Sequence, residues 1–496
     1  EGAVRFFAER GASVLVTDLR KEKELNIRSL SDLKNVEFRL GEHKEDDFKR
    51  AQIVVVNPAV SEDSKMLKIA RESGAVLTTE INLFFERCRS EIIGITGTNG
   101  KSTTAALCHH ILNGFDIPAH LGGNIGESLL PNVEKFSQEE VVVLELSSFQ
   151  LERLRWTKRS PSVGAVLNLT PNHLDRHKTM EAYGEAKAAI LDYQKRNDFA
   201  VLNPDDKYFH LFAKRVKGNL AIFEKDFGKE RTDAALKVGF SDGEIIVEIR
   251  RERGEKESFS VELDFLPTDE WGKSWRAEAK GEVGHNALNL AAALGCAVSL
   301  LIRRKQKIER EEMKRALERA TKEFRPLKHR LEKVAVVNGV EFINDSIATN
   351  PESVMAALSC YPARRVVLIA GGYDKGLSYQ ELAKDILKRV KSIVLIVSDG
   401  GLKIGEAMLK AVKEIEGAIS DIESEEIPSF QFALTLEEAV KKAFKSASTG
   451  DVVLLSPACA SYGMFANFEE RGEAFKDFVL KLKLREEGGS CRIAQF

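Results

Sequence analysis

Proline and cysteine are scarce in this chain of 496 residues, at 12 and 6, and neither charge sign prevails: 74 Lys and Arg stand against 76 Asp and Glu, a formal net charge of -2. The cysteines (Cys88, Cys108, Cys296, Cys360, Cys459, Cys491) are scattered and none forms a C-x-x-C pair. That excludes a zinc knuckle or a disulfide framework and predicts a reducing, cytoplasmic setting. Balanced charge without a basic patch or aromatic-basic motif offers nothing to nucleic acid or an anionic membrane, so neither is expected as a partner. The longest apolar stretch, Ala287 to Ile302, is broken by Asn289, Gly295 and Ser299 and is too short to span a bilayer; it predicts a buried helix. Glycine and proline are too few for a collagen-like or low-complexity chain, and no repeat recurs at solenoid periods.

What is present is 43% apolar residues, enough for a core in each of the roughly three domains that such a length suggests. Short β-branched runs, each followed by a turn signal and a helical pattern, recur at Ile53–Val56, Ile92–Thr96, Val141–Leu144, Val163–Leu167, Val366–Ile369, Ile393–Val397 and Val452–Leu455. This alternation predicts an α/β protein built on parallel sheets. Between Val216 and Glu282 the pattern turns alternating and charged, as in Glu244–Arg250 and Ser258–Asp264, and predicts antiparallel hairpins at the edge of a central sheet. Charged Glu86–Glu91 and the Arg325-Pro326 break place domain limits at 1–90, 91–326 and 327–496. The chain opens on Glu1 with a helical segment Gly2–Arg10, then Gly11, then the apolar run Ser13–Thr17 ending in Asp18. That is the middle of a βαβ unit, so the N-terminal domain is expected to be Rossmann-like with about one strand missing upstream.

Chemistry concentrates in Gly97-Thr98-Asn99-Gly100-Lys101-Ser102-Thr103, set between a strand and a helix. Glycines let backbone N–H groups turn onto phosphate oxygens, the helix N-terminus adds positive potential, Lys101 reaches terminal phosphates and Ser102 can ligate Mg²⁺. Ile95 stands where the first glycine of the usual loop would be, which makes this a shortened variant. Glu145 ends the apolar strand Val141–Leu144, where a carboxylate faces the ligand crevice and can hold Mg²⁺. His173 follows another apolar strand; His177 reads as surface, and Lys187, in a helical segment, reads as an ordinary solvated side chain.

Seven motifs then occur in order: Gly97 to Thr103, Gly122 to Gly126, Glu145 to Gln150, Asn172 to Arg176, Gly284 to Asn289, His329-Arg330 and Asn344-Asp345-Ser346. Together they resemble the Mur ligases over essentially the whole chain. Gly371 to Gly376, and Ser456 to Ser461 followed by Phe465, Phe468 and Arg471-Gly472, resemble the branch of that family that adds D-glutamate. The resemblance implies three domains, namely a Rossmann-like N-terminal domain, a P-loop ATPase-like central domain and a Rossmann-like C-terminal domain. It implies a cytoplasmic monomer that uses ATP and Mg²⁺ to join D-glutamate to UDP-N-acetylmuramoyl-L-alanine through an acyl phosphate, for peptidoglycan.

By the same resemblance Gly97, Thr98, Asn99, Gly100, Lys101, Ser102 and Thr103 bind ATP phosphates, with Asn286, Arg330 and Asp345 around adenine and ribose. Ser102, Glu145, His173 and, if carbamylated, Lys187 hold Mg²⁺; Lys101, Asn124, His173 and Lys187 serve the chemistry. Thr349, Lys375, Ser461 and Phe468 match the D-glutamate pocket, and Asp18, Arg20 and Asn57 the uridine site. Ile347 stands where relatives often carry Lys, removing one charge contact, and the upstream Gly-rich loop that meets the UDP diphosphate is missing. Another Mur ligase or a folylpolyglutamate synthase would need a different C-terminal pocket. A non-catalytic nucleotide-binding module would not need Lys101, Glu145, His173 and Lys187 together.

Overall fold

The computed structural model describes residues 1–22, 25, 27–30, 32–58, 60–228, 233–250, 255–264, 283–324, 328–416 and 427–486. The expected break at 325–327 and the tail 487–496 lie outside them. Toward the N-terminus, the helix Gly2–Ala8 precedes two separate parallel pairs: β1 (Val14–Asp18) with β2 (Val36–Leu40), and β3 (Ile53–Val55) with β4 (Val76–Thr78).

The central sheet contains β5 (Glu91–Thr96), β6 (Ala119–Gly123), β7 (Val141–Glu145), β8 (Val163–Val166), β9 (Phe199–Leu202), β10 (Asn219–Glu224), β11 (Leu236–Ser241), β12 (Glu244–Arg250) and β13 (Lys256–Glu262). Their order is β13-β12-β11-β10-β9-β8-β5-β7-β6, parallel from β6 to β11 and antiparallel from β11 to β13. The antiparallel edge lies where the alternating, charged segment predicted it, though β10 within that segment joins the parallel part.

The central strands are apolar on both faces because both are covered. Ile93, Ile95, Val141 and Val143 pack with the helices Lys101–Gly114 and His285–Arg303, whereas Ile92, Val142 and Leu144 pack with Phe84, Leu151 and Ile190 on the other side. The helix His285–Arg303 is apolar because it is core, with 83% of its most apolar window buried. β5 lies between β7 and β8, so the chain winds both ways from it, and the carboxyl ends of these three strands open a crevice at the reversal point.

The C-terminal sheet is β14 (Glu332–Val337), β15 (Val340–Asn344), β16 (Val366–Ala370), β17 (Val390–Ile396), β18 (Ser429–Ala433) and β19 (Val452–Leu455), in the order β14-β15-β19-β16-β17-β18. It is parallel except for the β14–β15 hairpin, an edge the apolar pattern did not reveal. Both its faces are likewise buried.

A buried arginine joins the N-terminal segment to the central sheet. Arg153, 1% exposed, donates to the carbonyls of Asn57 (2.8 Å) and Val60, and its Nε lies 3.3 Å from Glu62.

Two glycines at the end of β6 separate backbone strain from steric demand. Gly123 (φ 97°) lies against the Glu145 backbone so closely that a Cβ would overlap its carbonyl oxygen, whereas Gly126 (φ 69°) has open space around it. Gly123→Ala is expected to cost about 1–3 kcal/mol more than Gly126→Ala, measured by urea or thermal unfolding. Equal losses in the two variants would mean that the close approach carries no energy.

Candidate active site

The loop 97–100 leaves β5 and enters the helix Lys101–Gly114. Gly100 adopts φ 80°, and a Cβ there would strike the side chain of Asn289, which also accepts from Thr104 Oγ1 at 3.3 Å. Asn168 fixes the front of the loop: its Oδ1 accepts from the backbone N–H groups of Thr98 (3.1 Å) and Asn99 (2.8 Å), and its Nδ2 donates to the Asn99 carbonyl at 3.1 Å. Thr98 and Thr170 exchange two further bonds, 3.2 and 3.0 Å. The first-turn amides of Lys101–Thr103 have no carbonyl of their own helix to meet, and the Thr103 hydroxyl is buried without a partner. A rigid loop with unspent donors at a helix N-terminus is built for phosphate.

Lys101 Nζ donates to the Thr98 carbonyl at 2.8 Å. Burial lowers its pKa; Glu145 opposes that shift and Arg330, arriving from the C-terminal domain, adds to it. Lys187, read from sequence as solvated, is in fact 1% exposed. Its Nζ donates to the Gly97 carbonyl at 2.8 Å and sits 4.5 Å from the centre of the Tyr183 ring. Burial, then repulsion from Lys101, holds its pKa well below that of a free lysine. The correction has a physical source: the helix Met180–Ala188 packs against the core, and period alone did not fix which face carries Lys187.

Glu145, 2% exposed, ends β7; its Oε1 accepts from Asn124 Nδ2 at 3.1 Å and its Oε2 is buried without a partner. An orphaned carboxylate oxygen beside a phosphate loop fits a divalent cation. His173 adopts φ 54° at the start of a short helical turn, edge-on to Phe149 with ring centres 5.0 Å apart. Its pKa falls to about 3, first through burial and then through Lys375, Lys187 and Lys101, so the ring is neutral and able to ligate a metal. His177, expected at the surface, is 5% exposed; it shares a 2.9 Å hydrogen bond with Ser148 Oγ, lies 3.3 Å from Glu152 and stacks on Phe149. Among the described residues no three His, Cys, Asp or Glu converge as a metal cage. The orphaned Glu145 oxygen, with the Ser102 hydroxyl and a neutral His173 ring, is a donor set of the kind that suits Mg²⁺, which takes most of its ligands from phosphates and water.

The C-terminal domain closes over this crevice. Ser353 Oγ donates to Asn99 Oδ1 at 3.0 Å, directly across the phosphate loop. Arg330 lies between His329 (φ 65°) and Leu331 (φ 45°), with its Nε buried and unpartnered. It charges the surroundings of both Lys101 and His285. Asp345 is 4% exposed and accepts from Ser456 Oγ (2.8 Å) and the Leu331 amide (3.3 Å). Burial pushes its carboxyl up to about 7 against the opposing pull of Ser456 and Arg330. Asn286 is buried beside Asn289, 3.4 Å away.

Lys375 Nζ donates to Thr349 Oγ1 at 3.3 Å, and the same lysine is felt by His173. Ser461 is buried, and the Phe468 carbonyl accepts from Ser346 Oγ at 2.8 Å. Arg471, fully buried, ties these loops together: it donates to Ser346 Oγ (3.0 Å), the Ser346 carbonyl (2.8 Å) and the Cys459 carbonyl (3.1 Å). Asp18 and Arg20 bond to each other at 2.8 to 3.2 Å, and Asn57 meets Arg153 through its carbonyl.

The crevice thus gathers Lys101, Glu145, Asn124, His173, Lys187, Arg330 and Lys375 from sequence positions far apart. The sequence assigned no individual role to Asn168, Asn289 or Tyr183: Asn289 closes one of the seven motifs without a function of its own, and Asn168 and Tyr183 stand outside them.

Comparison with known proteins agrees with this geometry. Residues 2–79 match the Mur ligase MurD-like N-terminal domain, 95–297 the Mur ligase middle domain and 329–459 the Mur ligase glutamate ligase domain. The chain is 35% identical over 481 residues to the UDP-N-acetylmuramoylalanine–D-glutamate ligase of Clostridium tetani, covering 97% of this chain and 94% of that one. To the enzyme of the same name from Acetivibrio thermocellus it is 36% identical, covering 96% and 93%. Among solved structures, the UDP-N-acetylmuramate-alanine ligase MurC of Thermotoga maritima superposes with a TM-score of 0.56 at 17% identity, covering 96% and 95%. MurF ligase of the same organism, in complex with ADP, superposes with a TM-score of 0.52 at 18% identity, covering 88% and 99%. With three successive domain matches, relatives at this identity over nearly the full length, and a shared fold, the chain belongs to the Mur ligase family.

Proposed function

We propose that the protein joins D-glutamate to the L-alanyl carboxylate of UDP-N-acetylmuramoyl-L-alanine with conversion of ATP to ADP and phosphate, in cytoplasmic peptidoglycan precursor synthesis. The observation that carries this reading is the meeting of a phosphate loop and an orphaned Glu145 oxygen with the Lys375–Thr349 pair of the C-terminal domain in one crevice. A nucleotide-binding module has no use for that last pair. In this reading residues 1–90 hold the UDP-sugar through Asp18, Arg20 and Asn57, 91–326 hold ATP, and 327–496 hold the amino acid through Thr349, Lys375, Ser461 and Phe468.

A free carboxylate is a poor acyl donor, and the reaction begins by bringing it against an equally negative triphosphate. Lys101 and the first-turn amides hold the phosphates, Asn124 orients the carboxylate beside Glu145, and Arg330 and Asp345 fix the nucleoside end. Mg²⁺ held by Ser102, Glu145 and neutral His173 supplies charge neutralisation when bound. Positioning and electrostatics of this kind are the main contribution of phosphoryl-transfer sites. Lys187 suits carbamylation: its depressed pKa leaves a neutral amine whose lone pair attacks CO₂ with loss of a proton, and the carbamate exchanges a repelled cation for an anion beside the metal.

Phosphate release from ATP with UDP-N-acetylmuramoyl-L-alanine is expected to depend on D-glutamate and to fail with L-glutamate or L-lysine. Lys101→Ala should lower that rate by about 10²-fold or more. Turnover with another amino acid would overturn the acceptor assignment. Stripping dissolved CO₂ should slow the wild type, with bicarbonate restoring it, while Lys187→Ala responds to neither; a CO₂-independent wild type would argue against the carbamate.

Asp345 yields a stability test. Its folded pKa, about 7, lies above the ordinary 3.8, so the folded state binds the extra proton between those values and stability falls as pH rises through that window. Asp345→Asn should flatten the slope of unfolding free energy between pH 4 and 7 while impairing ATP use. An unchanged slope would show that the carboxyl titrates normally.

A further inference from the structure

Within the proposed reaction, D-glutamate arrives as an ammonium ion and cannot attack until it loses a proton. In that reading Lys101 and Lys375 hold anionic groups, Lys187 is a carbamate and His173 is a metal ligand, so the groups discussed so far leave that proton without a destination. One side chain in the crevice has been given no role. Glu352 follows Pro351 in the first turn of the helix Pro351–Ser359, between Thr349, which contacts Lys375, and Ser353, which bonds Asn99 of the phosphate loop. Its Oε2 is buried without a partner. It lies close enough to Tyr183 to act on that phenol, and the Tyr183 ring is flanked by Lys187 and His173.

We propose that the Glu352 carboxylate takes the ammonium proton of the incoming amino acid. This inference rests on the ligase reading above. Glu352 is carried by the turn that links Thr349, the partner of Lys375, to Ser353, the partner of Asn99 in the phosphate loop. The Tyr183 phenol feels its charge and its own backbone N–H bonds to it; burial raises its carboxyl above the usual carboxylate range, as a proton acceptor requires. One ammonium proton passes to Glu352 and the freed lone pair forms the C–N bond. The acyl C–O bond to phosphate then breaks, phosphate leaves with that electron pair, and the second nitrogen proton departs to phosphate or water.

A first-turn glutamate also serves simply to stabilise a helix N-terminus, and hydroxylamine separates the two roles. It is already unprotonated at neutral pH and traps an acyl phosphate as hydroxamate without a base. Glu352→Gln should lower D-glutamate-dependent amide formation about 10²-fold or more while hydroxamate formation stays near the wild-type rate, and Glu352→Asp should recover part of the amide rate. Circular dichroism melting would establish that both variants fold. Equal loss of amide and hydroxamate, or full amide activity in Glu352→Gln, would overturn this inference alone. A wild type that forms hydroxamate but no amide with any amino acid would overturn the acceptor reading and this inference with it.

Discussion

Everything in the crevice depends on keeping Lys101 and Lys187 together in a dry space. Their charged forms lose hydration there and repel, and the buried Glu145 is the carboxylate that opposes this for both. The protein meets the remaining cost with carbonyls: Thr98 and Gly97, at the two sides of the loop turn, each accept from one lysine. Such a site is poorly satisfied alone and well satisfied once phosphate oxygens arrive, which is how binding energy becomes available for orientation.

The loop that supports this arrangement is held from three directions. Asn168 grips its front, the Thr98–Thr170 exchange ties it to the loop after β8, and Asn289 from the central core helix fills the space that a side chain at position 100 would take. The C-terminal domain adds Arg330 and the Ser353–Asn99 bond, so the crevice is completed by a part of the chain with its own separate core. Linkage between domain position and site assembly is the arrangement expected where closure admits one substrate and excludes water.

Much of this was legible in the sequence, for reasons that differ from element to element. β5, β7 and β8 announced themselves because strands covered on both faces are apolar throughout, and the glycine spacing after β5 identifies a phosphate loop wherever it stands. The α/β class and the buried nature of the helix His285–Arg303 followed from the same patterning. His177 and Lys187 were misread because a polar residue on a helix defaults to solvent, and only packing reveals that the helix turns that face inward. The β14–β15 hairpin escaped because its strands alternate only weakly. Asn168 and Asn289 escaped because an amide that fastens a loop looks, in sequence, like any other amide.

Arg153 bears on how the protein responds to its surroundings. The guanidinium meets Asn57 and Val60 through neutral backbone carbonyls and is shielded from solvent, with Glu62, Arg176 and Glu152 as its charged neighbours. Arginine does not titrate in the physiological range and carbonyls do not titrate at all. The Arg153 bonds to the Asn57 and Val60 carbonyls are therefore indifferent to acidity, whereas the crevice of lysines and carboxylates is sensitive to it. A shift in pH would act on the crevice before it reached these two bonds of the N-terminal segment.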